Sequence, residues 1–214
     1  MRLRRKTLLA LIWTLLVLYP NPLLLTESVY RLFNPPVGSE HLLFVEKWEQ
    51  MNRLPSNPQK IEEFVVRYVK YDYDFNIYGV PWYFPTPAEV VEKRKGDCKS
   101  RAILLAAIFE EKGVPYSFHI SPVHFWVDYP GKEENEFTKK YENPKTAIFS
   151  DGRWKLPELV DLKTYYDSWK AVLWDSMPTI RKVLLLGGWI LIFSWDRLMS
   201  MKRGGGEERG EMRR

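Results

Sequence analysis

The sequence predicts an α+β domain set between two apolar helices. Helical periodicity gathers in residues 40–113, and alternating apolar and polar residues gather in 114–155, so helices come first and strands follow. Two apolar segments, residues 7–25 and 183–201, frame that middle part. A chain of 214 residues, 45% apolar and 28% charged, is long enough for one cored domain with added segments.

Residues 7–25 hold no charge, follow the basic stretch MRLRRK, and reach the length of about 20 residues that a hydrocarbon core requires. Pro20 and Pro22 are expected to kink or end this helix at its far side. A cleaved signal peptide and a core helix are the competing readings, but no small-x-small cleavage pattern follows Leu25. The second segment starts as VLLLGGWILIFSW and extends to Met201, with Asp196 and Arg197 near its end and Trp189 and Trp195 as interfacial aromatics. A buried terminal helix, or one lying flat at an interface, is the other reading.

Four basic side chains lie in residues 1–6, and five basic against three acidic in 202–214, which leaves the residues between within one unit of neutral. Both ends then belong on the cytoplasmic side, with the middle outside the cell membrane. A nucleic-acid partner is not expected, because the middle has no basic stripe. The expected organisation is an N-terminal anchor over 1–26, a helical linker over 27–57, the α+β domain over 58–176, a second membrane helix over 177–201 and a disordered basic tail over 202–214.

Within the middle, Ser39 is a candidate N-cap for a short amphipathic helix. Pro58 stands near the start of the next, with Ile61, Phe64, Val65 and Tyr68 on one face. The stretch DYDFNIYGVPWYFPTP is expected to be irregular because prolines interrupt it. Thr86, Pro87 and Glu89 then make a capping box around a compact helix. From Cys98 to Gly113 the helix is apolar on most of its surface, which marks it as central and buried, and Gly113 supplies the left-handed C-cap. VPYSFHI, HFWVDY and KTAIFSDGRW read as strands, and residues 159–174 return the chain as helix.

The single cysteine excludes an internal disulfide and any zinc site built on a cysteine pair. Its position is informative: Asp97 is placed to cap the central helix, so Cys98 is its first residue. Unpaired N–H groups there are expected to lower the thiol pKa and can hold an oxyanion. The plain alternative is a small core residue. His124, at a strand start, can reach that thiol and serve as base, whereas His41 and His119 are less well placed. If HFWVDY and KTAIFSD pair antiparallel with Tyr129 opposite Thr146, Asp151 stands about 5 Å from His124 and orients it. Asp128 is the rival, about 13 Å along its own strand, and Asp151 also suits an Asp-Gly turn. Trp82 and Tyr83 are candidates for lining the cleft, or for packing. Asp72, Asp74 and Asn76 have the alternating spacing of a calcium loop, but Ile77 replaces its glycine and Tyr83 its last glutamate. No metal cluster, phosphate loop or dinucleotide fingerprint is evident, so no cofactor is expected.

GDCKSRAILLAAIFEEKGVPY followed by VHFWVDY resembles the transglutaminase-like superfamily of papain-type thiol enzymes, over roughly residues 60–155. The shared features are Gly-x-Cys opening a central helix, a Gly-Val-Pro turn at its end, and a His-aromatic-Trp-Val strand. The long charged loop before Asp151 departs from the tight turn of many relatives. The resemblance implies Cys98 as nucleophile, His124 as general base and acid, and Asp151 as the orienting acid. It further implies a papain-like core acting on peptide or protein amides through a cysteine thioester, by hydrolysis, deamidation or crosslinking. Some members of that superfamily have lost activity, so a membrane-tethered binding module on the same fold is the alternative expectation.

Overall fold

The computed structural model of the chain describes residues 3–38, 45, 47–48, 54–120, 124–133, 147–150, 153–155 and 162–211. These form two compact units, Met1–Pro22 with Met177–Arg214, and Leu23–Ser176. The second unit is α+β.

In the first unit, α1 (Leu3–Leu18) runs antiparallel to α8 (Thr179–Glu211). Lys6 Nζ donates to the Phe193 carbonyl at 3.0 Å, and Arg181 Nη1 donates to the Leu18 carbonyl at 3.2 Å. Between those ends, Trp13 Nε1 donates to the Leu184 carbonyl and Trp189 Nε1 to the Thr14 hydroxyl, each at 3.0 Å. The expected helix over residues 7–25 is broken. The missing N–H groups of Pro20 and Pro22 end α1 at Leu18, and α2 (Leu23–Phe33) starts afresh beyond them. Among the described residues no single helix is long and apolar enough to cross a membrane, though α1 and α2 together pass that test across their bend. Helix α8 continues past Met201 to Glu211, where composition suggests a disordered tail; once nucleated, a helix extends at one hydrogen bond per residue.

The second unit starts at Leu23, so the expected linker is part of the α+β body. Arg31 of α2 donates to the Tyr83 hydroxyl at 2.9 Å, the Phe84 carbonyl at 3.0 Å and Glu89 at 3.1 Å. The helix expected after Ser39 falls mainly outside the described residues, but Val45 and Trp48 are helical and buried in the core. Asn57 caps α3 (Pro58–Tyr68), which buries Ile61 and Val65. After β1 (Lys70–Tyr71), the aromatic stretch contains one short helix, α4 (Asp74–Ile77), and is otherwise irregular. The capping box of α5 (Pro87–Lys93) is present, with Glu89 N–H to Thr86 at 3.3 Å and Thr86 N–H to Glu89 at 2.7 Å. Next come β2 (Lys95–Gly96), parallel to β1, and α6 (Cys98–Lys112), whose residues from Ala102 to Phe109 are all buried.

Strands β3 (Ser117–Ile120), β4 (Phe125–Asp128), β5 (Ala147–Ser150) and β6 (Arg153–Lys155) form an antiparallel sheet ordered β4-β3-β5-β6. Phe118, Phe125 and Val127 face the core shared with α6. The expected pairing of HFWVDY with KTAIFSD is therefore corrected. Strand β5 pairs with β3, Phe118 opposite Phe149, while β4 occupies the other edge of β3. Strand β3 offers two edges, and the long connection after β4 lets the chain pass to the far one. Helix α7 (Leu162–Trp169) and a π-helical turn (Lys170–Asp175) close the unit.

Candidate active site

Cys98 is the first residue of α6 because Asp97 caps the helix, its Oδ1 accepting the Lys99 N–H at 2.9 Å and the Ser100 N–H at 3.3 Å. The cap leaves the Cys98 N–H without an acceptor among the described residues. The side chain is half-buried at the edge of the core. Its sulfur accepts the Phe125 N–H, the amide of the peptide that joins His124 to Phe125. Helix start and strand start therefore meet, at the Cys98 sulfur and the Phe125 amide.

The thiol is not acidified as the helix N-terminus alone predicts. Burial, and after it the Asp97 carboxylate, push Cys98 up from its usual 9.0 to about 12. The Lys99 ammonium and the Phe125 N–H pull the other way without prevailing. Desolvation penalises the thiolate here by more than the helix terminus supports it. At neutral pH the sulfur carries its proton.

The His124 ring stacks on Trp126 at 5.6 Å and 10°, and Trp126 also meets the His119 ring at 5.4 Å. His119 Nε2 lies 3.9 Å from Asp128 and 3.0 Å from the Ser117 hydroxyl. Asp151 lies outside the described residues. The pairing that set it opposite His124 is replaced by one in which β5 runs from Ala147, beside Ile120, to Phe149, beside Phe118, away from the His124 end of the sheet. Trp82 is half-buried against the core, edge-on to Phe84 at 6.3 Å. Tyr83 is only 4% exposed, and its hydroxyl donates to Glu89 at 2.7 Å while accepting from Arg31. Packing, the second role considered for it, accounts for all of these contacts.

Four residues that sequence reasoning did not assign to this site act electrostatically on Cys98. Lys99, buried beside it, ion-pairs with Asp74 at 2.9 Å and with Asp97. Burial disfavours its charge, but Asp74 and Asp97 outweigh that and hold the ammonium protonated above its ordinary range. Asp74 is 3% exposed; burial and then Asp97 raise its pKa, and the Tyr83 N–H reaches its Oδ2 at 2.8 Å. Tyr71 and Arg101 complete the group, each within electrostatic range of Cys98. The only signal in the sequence was the alternating Asp72, Asp74 and Asn76, read as a possible calcium loop. Those carboxylates instead meet ammonium groups: Asp72 receives Lys95 at 3.2 Å and Asn76 at 2.7 Å, and Asp74 receives Lys99. Among the described residues no cluster of three metal-ligating side chains occurs.

A groove of about 430 Å³ lies near Glu110, Gly113 and Tyr116, at the C-terminal end of α6. The helix is about 22 Å long at 1.5 Å per residue, so this groove does not serve the sulfur. Neither protein-family models nor curated protein sequences match this chain.

Proposed function

We propose that the chain is a membrane-anchored, transglutaminase-like thiol enzyme that transfers acyl groups from peptide or protein amides through a Cys98 thioester. The observation that carries the reading is the sulfur at the first turn of a buried helix, hydrogen-bonded to the peptide that follows His124. Because the resting thiol is protonated, His124 acts as general base during attack and not before it. The sulfur forms a bond to the carbonyl carbon, its proton passes to His124, and the carbonyl π pair moves onto oxygen, where the spare Cys98 N–H holds it. Collapse expels the amine, which takes the proton from His124 and leaves a thioester. Water or an acceptor amine then attacks, returns a proton to His124, and the C–S bond breaks to restore the thiol.

The membrane part of the reading rests on the α1–α8 hairpin. Leu8, Leu11, Leu16, Val183, Ile190 and Leu191 are all exposed. A helix pair with so many exposed apolar side chains suits hydrocarbon surroundings.

The alternative, a tethered module with an inert cysteine, is favoured by the thiol pKa near 12. Acylation by p-nitrophenyl acetate separates the two. The enzyme reading expects one equivalent of nitrophenolate released per chain at neutral pH, faster than from the urea-denatured chain. It expects loss of that burst in Cys98→Ala and a rate at least about a hundredfold lower in His124→Ala. A native rate no greater than the denatured rate establishes the inert module instead.

A further inference from the structure

We propose that the Tyr71 hydroxyl is the second oxyanion donor, acting with the Cys98 N–H. This deepens the thiol-enzyme reading and rests on it. Attack on an acyl carbon places a full negative charge on oxygen, and a single N–H is a weak cradle for it. Several other donors near the sulfur are already engaged. Lys99 Nζ is held by Asp74 and Asp97, and the Phe125 N–H points at the sulfur itself. Arg101 gives its Nε and Nη2 to the Val69 carbonyl, at 3.1 and 2.9 Å, and its Nη2 to Val66 at 3.3 Å.

Tyr71 is brought there by backbone pairing. Strands β1 and β2 are parallel and set Tyr71 opposite Gly96, two residues before Cys98. The Asp72 N–H closes the pair on the Gly96 carbonyl at 3.1 Å. The ring is fixed from two sides, by the Arg101 guanidinium 5.4 Å from its centroid and by the edge of Tyr73 at 5.7 Å. The fixed Arg101 is one helical turn from Cys98, so ring and sulfur share a support. The phenol lies within electrostatic range of the sulfur, and burial together with that neighbour keeps it protonated far into the alkaline range. Among the described residues the hydroxyl has no hydrogen-bond partner, and the residue is 53% exposed. A held ring with an unspent O–H beside a nucleophile is a preorganised donor.

The test compares two reactions of the sole thiol in the full chain. Acylation by p-nitrophenyl acetate passes through an oxyanion; alkylation by iodoacetamide displaces iodide at a tetrahedral carbon and forms none. Tyr71→Phe keeps the ring and its contacts, so its fold, checked by circular dichroism, is retained. Acylation should slow by about a hundredfold in Tyr71→Phe while alkylation stays within about twofold of the parent chain. Equal slowing of both reactions overturns the proposal, since the hydroxyl then acts on the sulfur and not on the oxyanion. No change in either overturns it too. A parent chain acylated no faster than its denatured form removes the enzyme reading itself, an outcome visible before any variant is made.

Discussion

Asp97 acts on the same helix in two opposed electrical senses. Its Oδ1 caps α6 and so fixes Cys98 at the first position, yet its charge is the second-largest cause, after burial, of the raised thiol pKa. Lys99 offsets part of that charge and is itself divided between Asp97 and Asp74. Asn caps a helix about as well as Asp but carries no charge. Asp97→Asn should therefore lower the Cys98 pKa and speed iodoacetamide alkylation at pH 8 by about tenfold for each unit of the fall. An unchanged or slower rate contradicts this account. In the parent chain the alkylation rate should keep climbing above about pH 10, where the denatured thiol has levelled off, because the folded thiol titrates only near 12. The sign for stability follows. A folded-state pKa above the unfolded value means the unfolded chain loses its proton first, so this group's contribution is intact below about 9 and is lost towards about 12. The cap was legible in the sequence because capping is chemistry between near neighbours. The opposing terms were not: Asp74 comes from another helix, and burial is a property of the packed core.

At the scale of elements, the short pair β1–β2 controls where α6 begins. A Cβ on Gly96 would lie 2.1 Å from Ser100 Cβ and 2.3 Å from Ser100 Oγ. Ser100 is fully buried in the first turn of α6 and cannot withdraw. Gly96→Ala should thus push strand and helix apart, destabilising the chain by about 1–3 kcal/mol, read from the urea midpoint. It should also lower acylation of Cys98, which stands two residues from the clash. Wild-type stability in Gly96→Ala argues that β2 is not packed on α6 as described. The elements themselves were largely readable: the Thr86–Glu89 box, the Asp97 and Gly113 caps and the apolar run between them are all local patterns. Strand partners were not. Phe118, Phe125 and Val127 supply the same alternation to either candidate pairing, so periodicity alone left open whether β4 or β3 takes β5.

Over the whole molecule, the α1–α8 hairpin constrains topology through its antiparallel course. Gly188 leaves room for the Trp13 indole, whose nearest atoms would stand 2.0 and 2.3 Å from a Cβ there. The two helices thus lock at one register, with Lys6 beside Phe193 and Leu18 beside Arg181. At 16 residues α1 measures about 24 Å, somewhat less than a hydrocarbon core of about 30 Å, so its basic N-terminus and the Arg181 that bonds its C-terminal Leu18 would lie near the two headgroup layers. In that arrangement the basic residues at both chain ends would share one side, and the positive-inside preference would make it the cytoplasmic one. In a Cys98→Ala chain reconstituted with that orientation, single cysteines at Lys6 and Lys202 should resist a membrane-impermeant maleimide until detergent is added. A cysteine at Glu92, exposed on the other unit, should label at once. Labelling of Lys6 and Lys202 from opposite sides contradicts the hairpin, because antiparallel partners cannot present those ends to different faces of one bilayer. Labelling of all three sites without detergent places the hairpin outside the membrane and removes the anchor from the proposed function, leaving the acylation tests of Cys98 to stand on their own.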